Sequence, residues 1–98
     1  MTRDDILRLL ASHRPELSRR GVTSLRLFGS VARDEAQAGS DVDLMVEFDP
    51  SAGVDLFDLM DLEAYLSDLL GRRVDLVPRT DLKRRVRDRA LRDAIDVG

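Results

Sequence analysis

Residues 25–48 read LRLFGSVARDEAQAGSDVDLMVEF, and this stretch decides the fold. An apolar run ends at Gly29-Ser30, ten residues follow, and a second apolar run opens with Asp41 and Asp43. Successive side chains of a strand point to opposite faces, so Asp41 and Asp43 share one face, about 7 Å apart along the backbone at the usual rise. Val42, Leu44, Val46 and Phe48 take the other face. The alternation buries an apolar side and leaves two carboxylates side by side near the start of the strand. Like charges held this close repel, and the arrangement makes sense where a cation sits between them.

Working outward, Val22 to Phe28 alternates and reads as a strand. A helical turn is expected from Val31 to about Ala36, then a polar loop from Gln37 to Ser40, then the aspartate strand from Asp41 to Phe48. Asp49-Pro50-Ser51-Ala52-Gly53 punctuates that strand. The two strands are too far apart in sequence for a tight hairpin, yet they can be neighbours in one sheet. Upstream, Thr2 is placed to cap a helix running through Ser12, with Ile6, Leu9, Leu10 and His13 inward. PELSRR makes a further turn, which Gly21 ends. His13 lacks a second histidine or carboxylate beside it and reads as a half-buried boundary residue.

Downstream, Val54 to Leu70 is a helix stopped by Gly71. Leu56, Leu59, Met60, Leu66 and Leu69 form its expected buried stripe, flanked by Leu62 and Tyr65, with Phe57 also in the core. Its aspartates read as a solvated face. Arg72 to Pro78 is a short strand carrying Asp75 inside an apolar run. A buried unpaired carboxylate is costly, so Asp75 lies at the wet end of the strand, pairs with an arginine, or joins the cation of the earlier pair. Thr80 to about Ile95 is expected as a last, strongly basic helix with Leu82, Val86, Ala90 and Ala94 inward. The pattern predicts an α/β domain of the α+β type over residues 1–98, a small mixed sheet flanked by helices.

With 98 residues the chain supports one modest core. It has no cysteine and one histidine, so a metal site must rest mainly on oxygen ligands, which favours Mg²⁺, Mn²⁺ or Ca²⁺. No apolar run approaches the roughly 20 residues that span a bilayer, and MTRDDILRLL lacks a signal-peptide layout, so a cytoplasmic protein is expected. The net charge of −3 argues against direct DNA binding. Neither a phosphate-binding loop ending in Gly-Lys-Ser/Thr nor a dinucleotide fingerprint is present.

Taken singly, Asp-x-Asp and Gly-Ser are weak signals. As an ordered set, Gly29-Ser30, Asp41-x-Asp43 and a lone Asp75 in a later short strand resemble the active-site signature of the DNA polymerase β superfamily of nucleotidyltransferases. GSVAR, SDVDLMV and RRVDLV resemble its minimal nucleotidyltransferases, which are often antitoxins encoded beside a HEPN-domain toxin. The resemblance implies that Asp41, Asp43 and Asp75 are catalytic and hold two Mg²⁺ ions, with Mn²⁺ as a substitute. It implies that Gly29 permits close backbone approach and that Ser30 bonds the β and γ phosphates of ATP. Arg33 then orients phosphate or caps the loop, unless it pairs with Asp34 or Glu35. Asp34 departs from the family, which often has glycine there. The implied reaction transfers AMP to a tyrosine of a partner HEPN toxin. Two rival readings are a silent antitoxin acting by contact, through the basic last helix, and an interaction module with a structural Ca²⁺ or Mg²⁺ site.

Overall fold

A computed structural model describes residues 1–37 and 39–97. The chain runs α1 (Arg3–Ser12), α2 (Arg14–Arg19), β1 (Val22–Phe28), α3 (Gly29–Ala32), β2 (Val42–Phe48), α4 (Leu56–Leu70), β3 (Val74–Pro78), α5 (Arg84–Asp93) and β4 (Ile95–Asp96). Two helices start where side chains can satisfy free backbone N–H groups. The Asp5 N–H donates to the Thr2 hydroxyl at 3.2 Å and the Thr2 N–H to the Asp5 carboxylate at 3.0 Å. Asp55 and Asp58 repeat this reciprocal cap on α4, at 2.9 and 3.1 Å. Gly71 ends α4 in a left-handed conformation (φ 63°).

The four strands form one mixed sheet in the order β3-β2-β1-β4. β1 and β2 are antiparallel with Leu27 opposite Leu44, and β2 and β3 are parallel with Leu44 opposite Leu76. Opposed residues share a face, so Leu25, Leu27, Val42, Leu44, Val46, Val74 and Leu76 form one apolar surface. Ile6 and Leu10 of α1, Leu17 of α2, and Leu62, Leu66 and Leu70 of α4 pack on that surface as one core. The opposite face carries Arg26 and Phe28 of β1, Asp43, Met45 and Glu47 of β2, and Asp75 and Val77 of β3. There Glu47 accepts from Arg26 at 3.3 Å and from Arg79 at 3.0 Å. His13 lies at the α1–α2 boundary, half-buried, with its ring edge-on to Tyr65 at 6.3 Å.

Three expectations change, and a fourth falls partly outside the described residues. The turn after β1 starts at Gly29, two residues earlier than the sequence suggests, and ends at Ala32, about four residues earlier. The loop expected over 37–40 contains Ala38, which lies outside the described residues. On α4 the buried stripe is Leu62, Leu66 and Leu70, with Leu59, Tyr65 and Leu69 half-buried, whereas Leu56, Phe57 and Met60 are 66%, 74% and 57% exposed. This helix is apolar on two sides, and periodicity alone does not say which side meets the sheet. The last helix is shorter than expected: Arg79–Asp81 is a 3-10 turn, Leu82 and Lys83 are extended, and Val86 is 51% exposed. Ala94 then leaves the helix and Ile95–Asp96 pairs antiparallel with β1. The open edge of β1 supplies partners that a helical C-terminus would have left unmet, and Val97 is fully buried.

Candidate active site

The Gly-Ser turn and the aspartates meet because β1 and β2 are in register. Phe28, the last residue of β1, stands opposite Asp43, so Gly29 comes next to the Asp43 side chain. A Cβ at Gly29 would lie 3.1 Å from Asp43 Cγ and 3.3 Å from its Cβ, and would overlap the carboxylate oxygen Oδ2. Gly29 also has φ 73°, a conformation costly to residues with a Cβ. Both the close approach and the backbone therefore require glycine.

Asp75 stands directly opposite Asp43 in the parallel pair β2–β3. Neighbouring strands lie about 4.8 Å apart, so these two carboxylates share one face at adjacent positions. Asp75 is exposed, at the wet side of its strand, and is also a neighbour of the earlier aspartate pair. Asp41 precedes β2 by one residue and is exposed, with its Oδ2 4.0 Å from Arg73 Nε. The Val42 N–H donates to the Arg73 carbonyl at 2.9 Å and fixes this end of the strand. Asp43 is half-buried, and its pKa is raised above the ordinary carboxylate value. Burial is the main cause, followed by the charges of Asp75 and Asp41, with Arg33 acting in the opposite direction.

Ser30 lies in α3, where the Glu35 N–H donates to its carbonyl at 2.9 Å. Arg33 ends that turn, donating from Nε to Glu35 at 3.1 Å and from Nη1 to Asp93 at 3.5 Å. Of the partners expected for Arg33, Glu35 is found; Asp93 was not foreseen, and nothing in the sequence links positions so far apart. Asp34 has φ 59°, which explains why glycine suits this position and why aspartate, tolerant of that region, can replace it. A cavity of about 610 Å³ has Arg3, Asp34, Ser40, Arg72 and Arg73 in its lining, but none of Gly29, Ser30, Asp41, Asp43 and Asp75. Arg3 and Arg72 donate there to the carbonyls of Ala32 and Ser40, at 3.0 and 2.6 Å, and so tether the loop between α3 and β2.

Among the described residues, no three Asp, Glu, His or Cys side chains are already gathered as a cation site. The β2–β3 register places Asp43 beside Asp75, and Asp41, one residue before β2, is near enough for its charge to act on Asp43. The all-oxygen donor set and the opposed charge at Asp43 fit a hard divalent cation.

A family model described as nucleotidyltransferase domain matches residues 10–97. The chain belongs to the nucleotidyltransferase family. It is 40% identical over 98 residues to the protein adenylyltransferase MntA of Thermococcus cleftensis, covering 99% of this chain and 97% of that protein. A solved structure assigned as a minimal nucleotidyltransferase superposes with a TM-score of 0.82 at 41% identity, covering 97% of this chain and 95% of the other. More distant chains share the fold. One comes from a toxin–antitoxin complex with AMP-PNP, at TM-score 0.73 and 19% identity, covering 100% of this chain and 73% of the other. Another comes from a complex of the tri-AMPylated Shewanella oneidensis HEPN toxin with its MNT antitoxin, at 0.67 and 18%, covering 94% and 71%. This nucleotidyltransferase thus has a mixed sheet with its motif residues on one face, at the end where β1 passes into α3.

Proposed function

We propose that this nucleotidyltransferase transfers AMP from ATP to a hydroxyl, a tyrosine in the simplest case, of a HEPN-family toxin and so neutralises it. The observation that carries the reading is Asp43 opposite Asp75 with Gly29 packed beneath the Asp43 carboxylate. Support comes from the MntA relative and from the AMPylated toxin bound to a chain of the same fold.

Gly29 allows the triphosphate to approach the backbone of the turn, and Ser30 donates its hydroxyl to the β and γ phosphates. Arg33 adds positive charge on the same side. Asp41, Asp43 and Asp75 would hold the Mg²⁺ ions, which supply charge neutralisation at the triphosphate and acidify the attacking hydroxyl. The acceptor oxygen bonds to the α phosphorus as the α–β phosphoanhydride breaks. Pyrophosphate leaves, and the hydroxyl proton passes to Asp75, which is exposed enough to receive it.

The test incubates the chain with Mg²⁺, ATP and the HEPN partner, comparing α-labelled with γ-labelled ATP and wild type with Asp43→Asn. Covalent α label on the partner, absent with γ label and lost in the variant, is the expected result. Silencing of the partner without any transfer of label would instead support neutralisation by contact. That second reading would use the exposed basic side chains of α5, and the exposed apolar stripe Leu56, Phe57 and Met60 offers it a further surface.

A further inference from the structure

Asp93 is the last residue of α5, where a carboxylate faces the negative end of the helix and is disfavoured. It is half-buried there and accepts from Arg33 Nη1 at 3.5 Å, across sixty residues of chain. Glu35 takes the Nε donor of the same guanidinium at 3.1 Å. Arg33 closes the catalytic turn, its own N–H donating to the Gly29 carbonyl at 3.2 Å.

Backbone pairing, not a flexible surface contact, brings Asp93 to this turn. Ile95 pairs with Leu27, two residues before Gly29, and the Val97 N–H donates to the Leu25 carbonyl at 2.9 Å. Ala94 is extended, so the end of α5 is tied to the strand that leads into Gly29-Ser30. An arginine clamped through Nε and one Nη keeps the other donors of its fork free. Such a fork loses less freedom for each new bond that it forms.

We propose that Asp93 is a positioning residue, which together with Glu35 fixes the Arg33 guanidinium beside the Gly29-Ser30 turn so that its free donors meet the phosphates of the nucleoside triphosphate. This rests on the nucleotidyl-transfer reading above. It assigns to β4 and the end of α5 a part in substrate binding, although neither contributes a residue that touches the nucleotide.

The experiment is calorimetric titration of the whole chain with Mg·ATP for wild type, Asp93→Asn, Asp93→Glu, Arg33→Ala and the Arg33→Ala/Asp93→Asn double variant. Asp93→Asn is expected to weaken binding about two- to fivefold, the scale of an exposed ion pair. Asp93→Glu should recover most of the loss, and Asp93→Asn should change nothing further once Arg33 is alanine. Melting temperatures of the Asp93 variants should match wild type, which separates positioning from folding. Unchanged or tighter binding by Asp93→Asn, or a loss that persists in the Arg33→Ala background, would overturn the proposal while leaving the transferase reading intact. A wild-type chain that binds no Mg·ATP would remove both.

Discussion

Gly29 and Asp43 are the most tightly constrained residues of the candidate site. Any side chain at Gly29 meets the Asp43 carboxylate and a backbone in the left-handed region. Gly29→Ala is therefore expected to lose about 1–2 kcal/mol from the backbone alone and more from the overlap. Chemical denaturation measures that loss, and transfer activity should fall with it. Asp43 carries a raised pKa, so its charged form is less favourable in the folded chain than in the unfolded one. The penalty is absent below the ordinary carboxylate value, grows as pH rises from that value to the raised one, and is complete above it. Asp43→Asn should consequently melt at a higher temperature than wild type at neutral pH while losing transfer, and the gain should vanish in acid. Melts of both proteins across the acid range check this; a variant less stable than wild type at neutral pH would contradict it.

At the scale of elements, α4 and the C-terminal segment distinguish surface that looks apolar from surface that is buried. Leu66 is fully buried against the sheet, and Leu66→Ala should cost about 2–5 kcal/mol. Met60 sits on the same helix in the outward stripe, and Met60→Ala should stay within about 0.5 kcal/mol of wild type. Equal losses at the two positions in urea unfolding would mean that the helix is rotated from the orientation described. β4 makes a prediction of another kind. The Val97 N–H is held by the Leu25 carbonyl and its side chain is buried, so its amide should exchange much more slowly than those of the exposed residues Arg33 to Gln37. Hydrogen exchange read by NMR tests this.

For the whole molecule, the sheet has one face closed by α1, α2 and α4 and carries Asp43 and Asp75 on the other, so the core and the candidate site lie on opposite sides. A divalent cation held by Asp41, Asp43 and Asp75 would bind the folded chain and not the unfolded one, so millimolar Mg²⁺ should raise the melting temperature of wild type but much less that of Asp43→Asn. Among the described residues no helix is long and apolar enough to cross a membrane. Local order was legible in the sequence: β1, the Thr2 cap, the aspartate strand and the short strand of Asp75 follow from alternation and capping, which depend on near neighbours only. The resemblance of Gly29-Ser30, Asp41-x-Asp43 and Asp75 points to a candidate site, and the strand register brings Gly29, Asp43 and Asp75 together. What the tertiary structure alone decided were contacts between distant segments: Asp75 opposite Asp43, Asp93 on Arg33, the outward turn of Leu56, Phe57 and Met60, and the pairing of Ile95 with β1. Periodicity specifies that a face is apolar, whereas packing of the assembled sheet and helices selects which apolar face is buried and which charges become neighbours.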